Sequence, residues 1–182
     1  TSDNGPEITG EVNPGVYDRA QQSGHRSSGE LRGAKRDVWE GGHRVPFITR
    51  WPGKIPAGVV SNETMCHVDF MATVAAILNE TLPDNAAEDS VSLLPQLLEG
   101  DGGGKGRESL VHQSSDGSFA IRQGRWKLLF TPDSGGWSAP KPGSPESKMM
   151  PRLQLYDLEV DPTESVNVWQ ENPKVVERLG RR

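Results

Sequence analysis

The sequence predicts an α/β fold that ends in a smaller antiparallel part. Three observations carry this. Val45–Trp51 is rich in β-formers and stops at Pro52-Gly53, the pattern of a strand and turn. Asp69 precedes Phe70–Leu78, where Val68, Met71, Ala72, Ala75 and Leu78 share helical spacing and Phe70, Val74 and Ile77 line another side. A helix apolar on most sides is expected to be largely buried, with Asp69 as its cap. Beyond residue 108, Ser109–Gln113, Phe119–Arg122 and Trp126–Phe130 are short apolar runs separated by turn residues, the signature of an antiparallel meander.

The remaining elements are expected as follows. Residues 5–34 are polar and Gly/Ser-rich and form a long loop, with a short helix near Tyr17–Gln22. Leu93–Leu98 forms a short helix, and Gly100–Gly106, with five glycines, a flexible turn. Thr131–Pro151 holds five prolines, three glycines and four serines, so it is a loop. Leu153–Leu158 adds a strand, and Pro173–Arg181 a closing helix with Asn172 as cap.

Composition narrows the function. The net charge of −5 at pH 7 argues against general nucleic-acid binding. Arg19–Lys54 nevertheless carries eight basic and three acidic residues, a local +5 against −10 elsewhere. A cationic segment in an acidic chain suits a small anion better than a polyanion. Cys66 is the one cysteine and forms no internal disulfide. No run of about 18 apolar residues exists to span a membrane. Thr1-Ser2-Asp3-Asn4-Gly5 reads like a strand end entering a turn, so the chain is expected to be a piece of a longer one.

Two groups of residues carry chemistry. Asp3 and Asn4 set a carboxylate beside an amide oxygen, hard donors of the kind Ca²⁺ or Mg²⁺ prefers. Lys35 lies among Gly33, Gly41 and Gly42; a lysine is a compact point charge suited to an oxyanion, and glycines permit close backbone approach.

Seven elements in order give these residues a context. Asp3-Asn4-Gly5 is followed by the one segment Leu31–Ile48 (Leu-Arg-Gly-x-Lys-x-x-x-Trp-Glu-Gly-Gly-x-Arg-Val-Pro-Phe-Ile), then Arg50-Trp51-Pro52-Gly53. His67-Val68-Asp69-Phe70, Ser92-Leu93-Leu94-Pro95, Ile121 through Leu129, and Leu155-Tyr156-Asp157-Leu158 with Asp161-Pro162, Glu164 and Asn167 complete the series. The chain resembles the C-terminal part of a sulfatase over nearly its whole length.

That resemblance implies an alkaline-phosphatase-like α/β fold, with residues 1–100 completing the catalytic domain and 101–182 forming a smaller α+β subdomain on an antiparallel sheet. It implies that Asp3 and Asn4 complete a Ca²⁺ site, with Mg²⁺ also compatible, and that Lys35 contacts the sulfate. It implies a formylglycine nucleophile made in a Cys/Ser-x-Pro-x-Arg motif, which this sequence does not contain; an N-terminal segment of the same enzyme is therefore expected as partner, and this chain alone is expected to be inactive. His25 is expected in a loop that approaches substrate. His43 is read as structural, Arg44 and Glu40 as a bracing pair, and Trp39 as packing for the lysine loop. Aryl and carbohydrate sulfates are equally open as substrates. The rival readings are a phosphodiesterase or phosphonate hydrolase of the same superfamily and a non-catalytic binder of sulfated carbohydrate. Relatives of this kind are periplasmic, secreted or lysosomal.

Overall fold

The structure is a computed structural model, and it describes residues 1–7, 23–104 and 106–181. The helix expected near Tyr17–Gln22 lies outside the described residues. The chain divides into two compact units, one formed by Thr1–Phe47 with Val111–Arg182 and the other by Ile48–Leu110.

The first unit is organised by a four-stranded sheet in the order β1-β2-β3-β4, with β1 Leu110–Gln113, β2 Phe119–Gln123, β3 Trp126–Leu129 and β4 Gln154–Asp157. β2 and β3 pair antiparallel from Ala120↔Leu129 to Gln123↔Trp126, and β3 and β4 from Trp126↔Asp157 to Leu129↔Gln154. Gly124 opens the β2–β3 hairpin loop at φ +57°, the positive φ that tight hairpin turns demand. Both faces of this sheet are covered. Ile121, Leu128 and Leu155 pack with Leu179, which belongs to the closing helix Pro173–Gly180. On the opposite face Ala120, Leu129 and Tyr156 pack with Val38, Trp39 and Leu158. The strand period of two explains the division, and it also assigns Lys127 to the Trp39 side.

Three expectations change, one of them at the junction of the two units. Residues 45–50 form no strand. Pro46 has no N–H to offer, no strand pairs with this run among the described residues, and Ile48 is 85% exposed. Thr131–Pro151 is not wholly loop, because Pro145–Met149 is a short helix whose N-cap Ser144 accepts the Ser147 N–H. Asn172 occupies the expected cap position, but its side chain donates to Val168 O at 3.0 Å rather than accepting from the helix.

Numbered in chain order, the helices are α1 Glu40–His43, α2 Phe70–Leu78, α3 Leu94–Glu99, α4 Pro145–Met149 and α5 Pro173–Gly180. The second unit holds α2 and α3. The Asp69 carboxylate does not cap α2. It accepts Cys66 N–H and Val91 N–H, each at 2.9 Å, and pairs with Arg107. Thr73 adds a second tie, donating its hydroxyl to Asp69 O and accepting Leu93 N–H at 2.9 Å. Contrary to the expectation of a helix buried on most sides, Phe70, Met71, Val74, Ile77 and Leu78 are exposed and Thr73 and Ala75 are buried. Residues 48–110 supply cover for one face of α2 only, whereas its apolar residues occupy more than one.

Candidate metal and anion site

The loop bearing Lys35 is held by a chain of buried polar contacts. Gly33 and Arg36 both have positive φ, +82° and +85°, which curls the backbone around Ala34-Lys35. Asp37 fixes that curl. Its carboxylate accepts Ala34 N–H at 2.8 Å and Trp137 N–H at 2.9 Å, and takes the Ser138 hydroxyl. Val38 N–H donates to Ser134 O at 2.8 Å. Trp39 is fully buried, with Nε1 donating to Gln154 Oε1 at 3.2 Å and the Arg32 guanidinium 3.7 Å above its ring. Trp39 therefore packs the lysine loop, as expected.

The single-turn helix α1 joins this loop to the Asp3-Asn4 segment. Gly41 N–H donates to Arg32 O at 2.7 Å, and Gly5 N–H donates to Gly42 O at 2.9 Å. Lys35 N–H donates to Pro6 O at 2.8 Å. These bonds bring the backbone of the Asp3-Asn4 segment and that of the Lys35 loop together. The approach is so close that a Cβ on Gly5 would overlap the Gly41 carbonyl oxygen. Gly5→Ala is thus expected to part the two strands of backbone and to cost about 1–3 kcal/mol; an unchanged unfolding midpoint would refute this contact.

Asp3 is exposed and its carboxyl is held below the usual range, chiefly by backbone N–H donors and in part by Ser2 and the charge of Lys35. Asn4 Nδ2 donates to Asp3 Oδ2 at 2.6 Å. Lys35 Nζ lies 3.6 Å from Glu7 Oε2, and Arg36 also pairs with Glu7. As metal donors Asp3 and Asn4 have the right chemistry, a carboxylate and an amide oxygen. Among the described residues no group of three or more His, Cys, Asp or Glu could hold a metal ion. Two donors are a share of the six to eight oxygens that Ca²⁺ takes, so the residues fit a cation as part of its shell.

A cleft of about 500 Å³ opens beside this segment, lined by Asn4, Gly5, Ser27, Ser28, Arg44 and Pro46 among others. His25 is exposed two residues before Ser27 and is not among the lining residues. Arg44 pairs with Glu40 Oε2 at 3.6 Å, the bracing pair expected.

Beneath α1 lies a cluster that the sequence reading missed. Lys127 Nζ is fully buried, 3.0 Å from Glu40 Oε1 and 2.8 Å from Glu164 Oε1. Glu40 N–H donates to Glu164 Oε2 at 2.6 Å, and Arg122 approaches Glu40 at 3.5 Å. His43 Nε2 stands 3.4 Å from Lys127 Nζ, and its ring lies 3.8 Å from that of His112. His112 Nε2–H donates to Val38 O at 3.2 Å. One signal was available: in Trp126-Lys127-Leu128-Leu129 the period of two sets Lys127 on the same face as Leu129, a charge aimed inward.

Burial would raise the Glu40 carboxyl, but Lys127, His43 and Arg122 outweigh it and hold it low. Glu164 is raised by burial, with the neighbouring Glu40 charge adding to it against Lys127. The two carboxylates share one lysine, and Arg122 and Arg44 serve only Glu40. Burial and the adjacent Lys127 push His43 down to about 4, and burial, His43 and Lys127 push His112 down to about 3.

These histidines predict a pH response. Their native values lie below the ordinary value of about 6.5, so as pH falls from about 6.5 toward 4 the unfolded chain binds protons that the native site refuses. Stability is full above that window and drops within it, by up to about 1.4 kcal/mol per pH unit for each ring. Urea unfolding at pH 7.5, 6.5 and 5.5 is expected to show this slope, and His112→Gln to flatten it. A slope untouched by that substitution would contradict the assignment.

The comparisons with known proteins agree with the geometry. Residues 1–80 match the sulfatase family model. The chain is 36% identical over 182 residues to an N-acetylgalactosamine-6-O-sulfatase of Bacteroides thetaiotaomicron, covering 98% of this chain and 34% of that protein. It is 35% identical to human arylsulfatase A over 179 residues, covering 92% of this chain and 32% of the relative. Among solved structures, a Bacteroides thetaiotaomicron sulfatase from a glycosaminoglycan-metabolism locus superposes with TM-score 0.80 at 34% identity, covering 99% of this chain and 36% of that one. PsFucS1 sulfatase from Pseudoalteromonas sp. superposes with TM-score 0.64 at 26% identity, covering 83% of this chain and 31% of that one. The chain spans about a third of the length of the curated relatives it matches. It belongs to the sulfatase family and corresponds to a C-terminal portion of its members.

Proposed function

We propose that this chain forms one wall of the active site of a sulfuric ester hydrolase, with Asp3 and Asn4 as cation ligands and Lys35 as the sulfate contact. One observation carries the reading. The bonds Gly5 N–H to Gly42 O and Lys35 N–H to Pro6 O hold the backbone that bears the Asp3-Asn4 pair against the glycine-rich loop that bears Lys35. The cation, Ca²⁺ by family resemblance, would supply Lewis-acid stabilisation of the sulfate oxygens.

The residues of this chain act around that chemistry. Lys35 provides a fixed positive charge for the negative sulfonyl oxygens. A preformed donor of this kind stabilises charge that builds up in the transition state without reorganising. Its ammonium pairs with Glu7 across 3.6 Å, a distance loose enough for an incoming anion to compete. Asp3 stays ionised because backbone N–H groups and Lys35 favour its charged form, which keeps it ready as a hard ligand. The nucleophile belongs to the rest of the parent protein, as a formylglycine in the family pattern. The cleft beside Asn4, with Ser27, Ser28 and Arg44 on its walls, suits a polar ring. The relative with 36% identity makes N-acetylgalactosamine 6-sulfate the first carbohydrate substrate to test.

The test compares release of sulfate from N-acetylgalactosamine 6-sulfate and 4-nitrophenyl sulfate with hydrolysis of the diester bis(4-nitrophenyl) phosphate by the full-length protein. Sulfate esters are expected to turn over, with activity lost to a chelator and restored by Ca²⁺. Preferred cleavage of the phosphate would support the phosphodiesterase reading. Binding of sulfated sugar without cleavage of any ester would support a non-catalytic relative.

A further inference from the structure

The buried Lys127 cluster has no place in the sulfate chemistry above, and yet it touches the element on which both candidate ligands depend. Lys127 sits on β3 with its side chain fully buried, as are those of Glu40 and Glu164. Burying three charges in one place is a weak source of stability, because desolvation offsets the attraction between them. A geometric role accounts for the arrangement better. Glu164 is held at φ +52°, a conformation that a non-glycine residue keeps only where its surroundings impose it. In that conformation its carboxylate meets Lys127 Nζ at 2.8 Å and the Glu40 N–H at 2.6 Å. Its carbonyl accepts from Arg32 at 2.8 Å, and the Arg32 carbonyl in turn takes Gly41 N–H.

Glu40 is the first residue of α1, and its carboxylate is drawn down to Lys127 at 3.0 Å. The backbone N–H and the side-chain carboxylate of Glu40 are therefore both tied to Lys127 on β3, the first through Glu164 and the second directly. Two residues further, the Gly42 carbonyl receives Gly5 N–H, and Gly5 directly follows Asn4. The path from Lys127 to Asn4 thus runs through one carboxylate, one turn of helix and one backbone hydrogen bond. A shift of α1 moves the Gly42 carbonyl, and with it the Asp3-Asn4 pair relative to Lys35.

We infer that Lys127 and Glu164 are positioning residues for the cation site, setting the height of α1 over the sheet and so the place of Asp3 and Asn4. This rests on the cation-binding role proposed above for those two residues. Lys127 touches neither cation nor substrate in this scheme and acts through Glu40 and Gly42.

The test uses the full-length protein and Ca²⁺ alone as the probe, titrated calorimetrically, with kcat and KM for a sulfate ester and the thermal midpoint measured in parallel. Lys127→Met is expected to lower Ca²⁺ affinity about 10-fold or more, the size of effect seen when groups that orient metal ligands are lost. Lys127→Arg keeps the charge and is expected to restore most of it. Leu179→Ala serves as the control, since it damages the opposite face of the same sheet. It should lower the thermal midpoint and leave Ca²⁺ affinity unchanged. Should Lys127→Met fail to fold, Glu164→Gln decides, with an expected loss of several-fold in affinity at a retained fold. A folded Lys127→Met or Glu164→Gln protein with wild-type affinity overturns the inference, as does an equal loss in Leu179→Ala. Failure of the wild-type protein itself to bind Ca²⁺ would instead refute the underlying cation-site proposal.

Discussion

Lys35→Ala in the full-length protein is expected to lower kcat for sulfate ester hydrolysis by about 10²–10³-fold, with the unfolding midpoint nearly unchanged. The reasoning is local. The loop around Lys35 owes its shape to Asp37, which takes the Ala34, Trp137 and Ser138 donors, and to the buried Trp39. Its own side chain contributes only a long, half-exposed pair with Glu7, and such pairs contribute about 0–1 kcal/mol. Removing the ammonium therefore leaves the scaffold and deletes the charge. A fall in KM-based affinity with kcat preserved would point to ground-state binding alone. An unchanged rate would remove Lys35 from the site.

Lys127→Met is expected to have the largest effect on stability. It leaves Glu40 and Glu164 buried together without their shared cation, and breaking a buried pair in this way costs about 3–5 kcal/mol. Arg122 and Arg44 remain near Glu40, at 3.5 and 3.6 Å, but the Glu164 carboxylate has no second cation among its described contacts, since Arg32 meets only its backbone carbonyl. Protonation of Glu164, already favoured by its burial, would soften the loss at low pH. Denaturant unfolding of the variant at pH 7.5 and pH 5.5 measures both effects. A loss below about 1 kcal/mol at pH 7.5 would mean that the cluster is hydrated or rearranged.

The parts of this fold legible in the sequence were those governed by local chemistry. The β2–β3 hairpin followed from two apolar runs around Gly124-Arg125, β4 from the run Leu153–Leu158, and α5 from its proline start. The run 45–50 failed as a strand because strand formation needs a neighbour as well as β-formers, and none pairs with it among the described residues. The polar stretch 131–151 hid α4 because its proline count outweighed the Ser144-Pro145 helix start. The burial of α2 was over-read for a related reason: apolar residues on several sides state what a helix can cover, not what is available in 48–110 to cover it.

The candidate site divides the same way. Asp3, Asn4 and Lys35 were found from residue type and order, and the structure brings their backbones together through Gly5, Pro6 and Gly42. The Lys127–Glu40–Glu164 cluster joins residues far apart in the chain, so only the inward register of Lys127 hinted at it. Asp69, expected as the cap of α2, takes instead the N–H of Cys66 three residues before it, and ties Val91 and Arg107, two partners that lie too far along the chain for local spacing to reveal.

The most direct test of the central claim is a Ca²⁺ titration of the full-length protein beside its Asp3→Ala variant, at pH 7.5 and followed by calorimetry. Saturable binding is expected for the wild-type protein, with an affinity at least about 10-fold weaker in the variant through the loss of a charged oxygen ligand. Superimposable isotherms from the two proteins would contradict the claim and place the cation elsewhere.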